Sequence, residues 1–204
     1  MCLVAALACF AEAWRANTGF RHLVPFNPAA ATARPLNRPL PDSSLPPVSA
    51  DVLASASPPV RVDIPAVGLS ARVVPVTLNR ARQIEMPSTS VAGWYRPRLA
   101  VRSLGAAGPI VLVGHVDTYL GPAVFYRLTG VRRGEKVEVV RADGSRATFI
   151  ISKITIVRKA AFPLKAVFRP TAEPAIRLIT CAGFFDTSTR HYVDSLIVWG
   201  KPAT

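Results

Sequence analysis

From residue 59 onward, apolar side chains recur at every second position in short runs, and turn residues punctuate them. Val60, Val62 and Ile64 alternate with Arg61 and Asp63, and Pro65 closes the run. A period of two sends alternate side chains to opposite faces of an extended chain, so the pattern fits a half-buried strand and not a helix. Leu69 to Leu78 reads as a second strand, with a turn around Asn79. Val137 and Val139 alternate within Lys136–Arg141, and Ala142-Asp143-Gly144-Ser145 then supplies a hairpin turn, because glycine accepts positive φ. The return strand carries Phe149, Ile151, Ile154 and Ile156. Its alternation slips by one at Ser152-Lys153, which predicts a bulge. Tyr192 to Trp199 closes the chain as a final strand. Helical signal is confined to short pieces, roughly Pro122–Leu128 and Ala160–Phe168. With no βαβ rhythm and no internal repeat, these runs predict an all-β barrel or sandwich with short helices.

Upstream the texture differs. Residues 25–59 hold nine of the 19 prolines, mixed with Ala, Ser, Asn and Arg. Proline lacks a donor and restricts its predecessor to extended conformations, so this stretch reads as a semi-extended spacer. Residues 2–11, Cys-Leu-Val-Ala-Ala-Leu-Ala-Cys-Phe-Ala, are uninterrupted apolar. A bilayer span needs about 20 residues. The length suits a signal-peptide core, yet no Lys or Arg precedes it. A start placed too far downstream, leaving only the tail of a longer anchor, accounts for this. The expected organisation is an export or anchor remnant over 1–24, a Pro-rich spacer over 25–57 and one folded domain over 58–204.

The charge is lopsided, with 25 Lys+Arg against 12 Asp+Glu and a formal net of +13. Residues 58–204 hold 21 basic and nine acidic side chains, so +12 belongs to the domain. Such a field favours anionic surroundings, among them lipid headgroups and acidic wall polymer. Nucleic-acid readers interleave aromatics with their basic patches; at 8% aromatic and with no such stripe, nucleic acid is not indicated. A non-catalytic basic β-domain that binds anionic cell-wall polymer is the reading from this charge alone.

The chemistry-bearing residues favour a different reading. Cysteines occur only at 2, 9 and 181, too few for a disulfide framework. Cys181 ends the run Ala175-Ile-Arg-Leu-Ile-Thr-Cys181, and sixty-six positions earlier Ile110-Val-Leu-Val leads into Gly114-His115-Val116-Asp117. Two strands that end in a thiol and an imidazole suggest a nucleophile facing a general acid at one rim. At pH 7 and unperturbed pKa values, about 3% thiolate times about 24% imidazolium leaves under roughly 1% as the ion pair. Either the site lowers the thiol pKa, or the reaction runs through a minority population. A guanidinium favours the thiolate and stabilises an oxyanion, and Arg190 is the only arginine after Cys181. Asp117 is placed to orient His115 or to serve as a turn former, and His191 is a second imidazole candidate. His22 lies upstream of the domain. Three scattered histidines without a Cys-x-x-Cys leave too few ligands for a metal, and nothing indicates a cofactor.

Taken together, Gly114-His-Val-Asp117, Gly121-Pro-Ala-Val-Phe125, Leu178-Ile-Thr-Cys-Ala-Gly183 and Arg190-His-Tyr192 resemble a sortase, in order and spacing, across residues 58–204. More narrowly, they resemble the class F sortases of high-GC Gram-positive bacteria. The resemblance implies an eight-stranded β-barrel with short helices, anchored in the cell membrane with its catalytic domain outside. It implies a cysteine transpeptidase that cleaves a C-terminal sorting signal of surface proteins through a thioacyl-enzyme. An amine acceptor, often on a peptidoglycan precursor, then resolves that intermediate. Cys181 would be the nucleophile, His115 the general acid, Arg190 the oxyanion clamp and Thr180 a lining residue of the substrate pocket. Some relatives carry the arginine at the start of the last strand, where this chain has Ser195. Arg190 holds the role by exclusion, with Arg177 or another strand as the alternative. Phe162–Pro174 would sit where sortases build the signal groove. Papain-like enzymes reverse the order of Cys and His, and caspase-type enzymes require an α/β fold. Transpeptidases that cross-link peptidoglycan carry His-Gly where Ile179-Thr180 stands here.

Overall fold

A computed structural model describes residues 57–81, 83–96 and 109–203 of the chain. The expected 1–24 segment and all but residue 57 of the expected spacer lie outside the described residues. In chain order the strands are β1 (Pro59–Ile64), β2 (Leu69–Val76), β3 (Ala92–Tyr95), β4 (Ile110–Val113), β5 (Asp117–Thr118), β6 (Gly121–Pro122), β7 (Lys136–Arg141), β8 (Arg146–Arg158), β9 (Ile176–Asp186) and β10 (His191–Pro202). Eight of them close a barrel in the order β1-β2-β3-β4-β9-β10-β8-β7, and β5–β6 is a separate two-stranded ribbon. The expected all-β, eight-stranded barrel is the observed fold. Closure matters physically, because it leaves no unpaired sheet edge.

Alternation builds the interior. Val62, Ile64, Leu112, Val137, Val139, Phe149, Leu178 and Leu196 point inward and are fully or almost fully buried. Along β4, and at Ile179 of β9 and Ile197 of β10, intervening residues are apolar too. Val111, Val113, Ile179 and Ile197 form a second layer on the outside, with Val167 of the one-turn helix α1 (Leu164–Phe168) packed on them. Covered on both faces, these strands read as continuous apolar runs where β1 and β7 alternate. β2 pairs with β3 and β4 with β9 in parallel, while the remaining ladders are antiparallel.

Local differences have local causes. β2 stops at Val76, and Leu78 instead makes an isolated bridge with Ile84 around a turn closed by Asn79 and Gln83. The bulge stands where the alternation slips: Lys153 pairs with Trp199 and Ile151 with Gly200, leaving Ser152 as the extra residue. The helical piece expected near Pro122–Leu128 is a 3-10 turn over Tyr126–Gly130. Among the described residues no helix is long and apolar enough to cross a membrane.

Candidate active site

The parallel seam between β4 and β9 sets the level of everything that follows. Val113 pairs with Ile179, and the pairing runs past the end of β4. The Gly114 amide donates to the Ile179 carbonyl at 3.1 Å, and the Thr180 hydroxyl donates to the Gly114 carbonyl at 2.8 Å. Two residues past the Val113–Ile179 pair come His115 after β4 and Cys181 within β9. Because side chains alternate, Cys181 shares the outer face with Ile179, while Thr180 points inward with Leu178. Cys181 is 6% exposed and in no disulfide. Thr180 is buried with its hydroxyl committed to Gly114, so it ties the two strands in register from beneath the thiol.

His115 is buried and held from two sides. Its Nε2 lies 3.1 Å from the carbonyl of Pro87. A carbonyl only accepts, so Nε2 carries the hydrogen and Nδ1 is the nitrogen left to exchange a proton. The His115 carbonyl accepts the Phe125 amide at 2.9 Å. The Phe125 ring lies over Gly114, where an added Cβ would stand 2.7 Å from the ring, so only glycine admits this packing. Burial lowers the His115 pKa, against the opposing pull of the Pro87 carbonyl and of Asp117.

That lowered pKa has a sign for stability. The unfolded chain binds a proton at His115 near pH 6.5, where the folded one resists it. The contribution is therefore complete above about pH 6.5 and is lost as pH falls through the folded value. Thermal denaturation of His115→Asn is expected to lose less Tm between pH 7 and pH 5 than the parent protein. Equal losses in the two would show that burial of this imidazole is not the cause.

Tyr192 is a member of the site that sequence reasoning passed over. Its hydroxyl donates to Asp117 Oδ2 in a short hydrogen bond that joins β10 to β5. Burial raises its pKa first, then the bond and charge of Asp117, with the charge of Cys181 a smaller contribution. Phe185 braces the ring edge-on at 5.2 Å. Asp117 thus bonds Tyr192 and reaches His115 only through its charge. The available signal was an aromatic with a polar tip at the mouth of the last strand.

Cys181 is the sixth residue of the 11-residue β9 and not its end, because pairing with β10 carries the strand on to Asp186. The register shifts between Tyr192 and Asp194, opposite Gly183. Gly183 takes φ +80°, and a Cβ there would collide with the Asp194 carboxylate. Arg190 sits in the hairpin turn beyond, exposed and at φ +58°, a conformation that costs a non-glycine residue about 1–2 kcal/mol. At about 3.3 Å per residue the tip is roughly 16 Å along the strand from Cys181. In the same turn Asp186 accepts from the Ser188 hydroxyl and amide and from the Thr189 amide, which hold its carboxyl down at about 2. His191 pairs with Asp186 across the hairpin, equally far from the thiol.

Arg177 lies on the other side, four residues before Cys181. Its guanidinium stacks 4.5 Å from the Trp199 ring centroid and donates to the Ile176 and Gly200 carbonyls at 2.9 and 3.3 Å. Arg158 forms an ion pair with Asp194 at 3.5 Å. Cys181 and His115 thus follow the two strands of one parallel seam, Tyr192 bonds Asp117, and Arg177 and Arg158 are engaged with Trp199 and Asp194. Among the described residues no group of three or more His, Cys, Asp or Glu could hold a metal ion.

Comparison with known proteins finds the same barrel fold elsewhere. Sortase A from Corynebacterium diphtheriae, as a lid mutant, is similar in fold at a TM-score of 0.54 and 16% identity, covering 72% of each chain. Sortase C of Streptococcus pneumoniae gives 0.53 and 19%, covering 71% of this chain and 65% of its own. Sortase C1 from Streptococcus suis gives 0.54 and 15%, covering 76% and 78%. No curated protein matches the chain. The family model of the sortase domain matches residues 62–203, and with a barrel of the same kind around Cys181 and His115 this chain belongs to the sortase family.

Proposed function

We propose that this chain is a class F sortase: a membrane-attached cysteine transpeptidase, with its domain outside the cell, that joins sorting-signal proteins to an amine of the cell wall. The observation that supports this reading is the β4–β9 register, in which His115 follows two residues after Val113 and Cys181 two residues after its partner Ile179. In the proposed reaction the Cys181 thiolate attacks the scissile carbonyl carbon and forms a C–S bond, while the carbonyl electron pair moves to oxygen. On collapse the C–N bond breaks, and His115 gives its proton to the departing amine. An acceptor amine then attacks the thioester and returns a proton to His115 as the thiolate leaves.

Arg190 is the proposed clamp on the developing oxyanion, closing on the substrate from the hairpin tip. Thr180 supports the site by holding β9 in register. The excess of basic residues in the domain suits an anionic wall or headgroup layer.

The test is incubation of the full chain with a panel of sorting-signal peptides, read by mass spectrometry at Cys181. A peptide-sized adduct supports the reading. If no peptide is cleaved or bound and Cys181 alkylates no faster than a free cysteine, the domain is instead a basic wall-binding module. Arg190→Ala is expected to slow turnover about 10²–10³-fold. Arg177→Ala, which removes a guanidinium already committed to Trp199, should act on stability and leave turnover within a few fold. The reverse pattern would move the clamp to Arg177.

A further inference from the structure

Directly across the β9–β10 ladder from Cys181 stands Ser195. Opposed residues on antiparallel strands share a face, with Cβ atoms about 4.5–5.5 Å apart, so the hydroxyl and the thiol emerge side by side. Ser195 is 0% exposed, and its Oγ is buried with no hydrogen-bond partner among the described residues. On its other flank β8 offers Val157, which has no polar side-chain atom. The adjacent Leu196 points inward with Thr180. At this level Cys181 is thus the flanking side chain that can ionise. A buried hydroxyl without a partner is destabilising, a cost that alanine would avoid.

We infer that Ser195 is a further catalytic residue, whose hydroxyl turns about χ1 to donate a hydrogen bond to the Cys181 thiolate as it forms. The neutral thiol is a weak acceptor and leaves the hydroxyl unengaged. The thiolate is a strong acceptor, and a bond to the charged form favours that form. The orphaned hydroxyl of the resting pair becomes a donor held ready for the anion. This inference rests on Cys181 being the nucleophile proposed above. The titratable and charged neighbours of the thiol are His115 across the seam, Tyr192 with Asp117, and Asp194 with Arg158 one step along β10. Ser195→Ala leaves all of them in place.

The experiment follows the pH dependence of iodoacetamide alkylation at Cys181 in the full chain, resolved by mass spectrometry, for the parent protein and Ser195→Ala. Loss of a hydrogen bond to the anion is expected to raise the alkylation midpoint by about one pH unit, or tenfold less thiolate at pH 7. Because a more basic thiolate is intrinsically more nucleophilic, the rate at pH 7 should fall only about threefold, so the midpoint is the readout. The Tm of Ser195→Ala should equal or exceed the parent's, since an unpartnered buried hydroxyl has been removed. Should alanine fail to fold, the isosteric pair Ser195→Thr and Ser195→Val repeats the test, with threonine keeping the parent midpoint and valine raising it. An unchanged midpoint in a folded hydroxyl-free variant overturns the inference while leaving the nucleophile intact. A parent midpoint near 8.5 together with no peptide adduct would instead remove the nucleophile reading itself.

Discussion

Cys181→Ala is expected to form no thioacyl adduct and to lower peptide turnover by about 10⁴-fold or more, the scale seen when a covalent nucleophile is removed. The expectation is sharp because Cys181 is the single cysteine among the described residues. The fold should tolerate the change. Replacing a small buried side chain by one nearly its size leaves a minor void, so Tm should move by only a few degrees. Measuring turnover and Tm on the same preparation separates chemistry from folding. Turnover within tenfold of the parent in a folded Cys181→Ala protein would place the nucleophile elsewhere.

Phe125→Ala is expected to give the largest loss of stability among single changes near the site, about 3–5 kcal/mol. Phe125 is among the largest fully buried side chains, and it covers Gly114 and gives its amide to the His115 carbonyl. For a domain of this size each kcal/mol shifts Tm by about 2–4 °C, so a fall of roughly 6–20 °C is expected. Urea denaturation should show a lower midpoint with little change in slope. Where the variant is still folded, turnover should drop as well, because the ring that presses on Gly114 also sets the height of His115. Phe125→Leu, which keeps most of the volume, should recover the larger part of both. Loss of stability without loss of turnover in the folded variant would mean that His115 is positioned from Pro87 alone.

What could be read in advance divides along a physical line. β1, β7 and the Gly144 turn were legible because their pattern is local, and so was the bulge at Ser152, which shows as a slip in the period. β3 was not legible: Ala-Gly-Trp-Tyr has no alternation, and its pairing with β2 is parallel and set by distant chain. Cys181 read as a strand end because Ala182-Gly183 follows it, but the ladder to β10 carries the strand onward. His115 and Cys181 could be singled out because each follows an apolar run. Their further contacts could not. Pro87 to His115 spans 28 residues and Tyr192 to Asp117 spans 75, and no spacing rule connects such pairs. Ser195 looked like the mere replacement of an expected arginine, and its burial opposite the thiol became visible only through the register.

The parallel seam between β4 and β9 also bears on when the site comes into being. Hairpins such as β7–β8 and β9–β10 join neighbours in the chain, but Val113 and Ile179 are paired across 66 residues of sequence. Loop closure over such a separation makes contacts of this kind late and slow. Cys181 belongs to a pairing between chain neighbours, whereas the segment carrying His115 is held by a pairing across a long stretch of chain. A change that weakens the β4–β9 seam would therefore loosen the segment carrying His115 while leaving the β9–β10 hairpin that carries Cys181 paired.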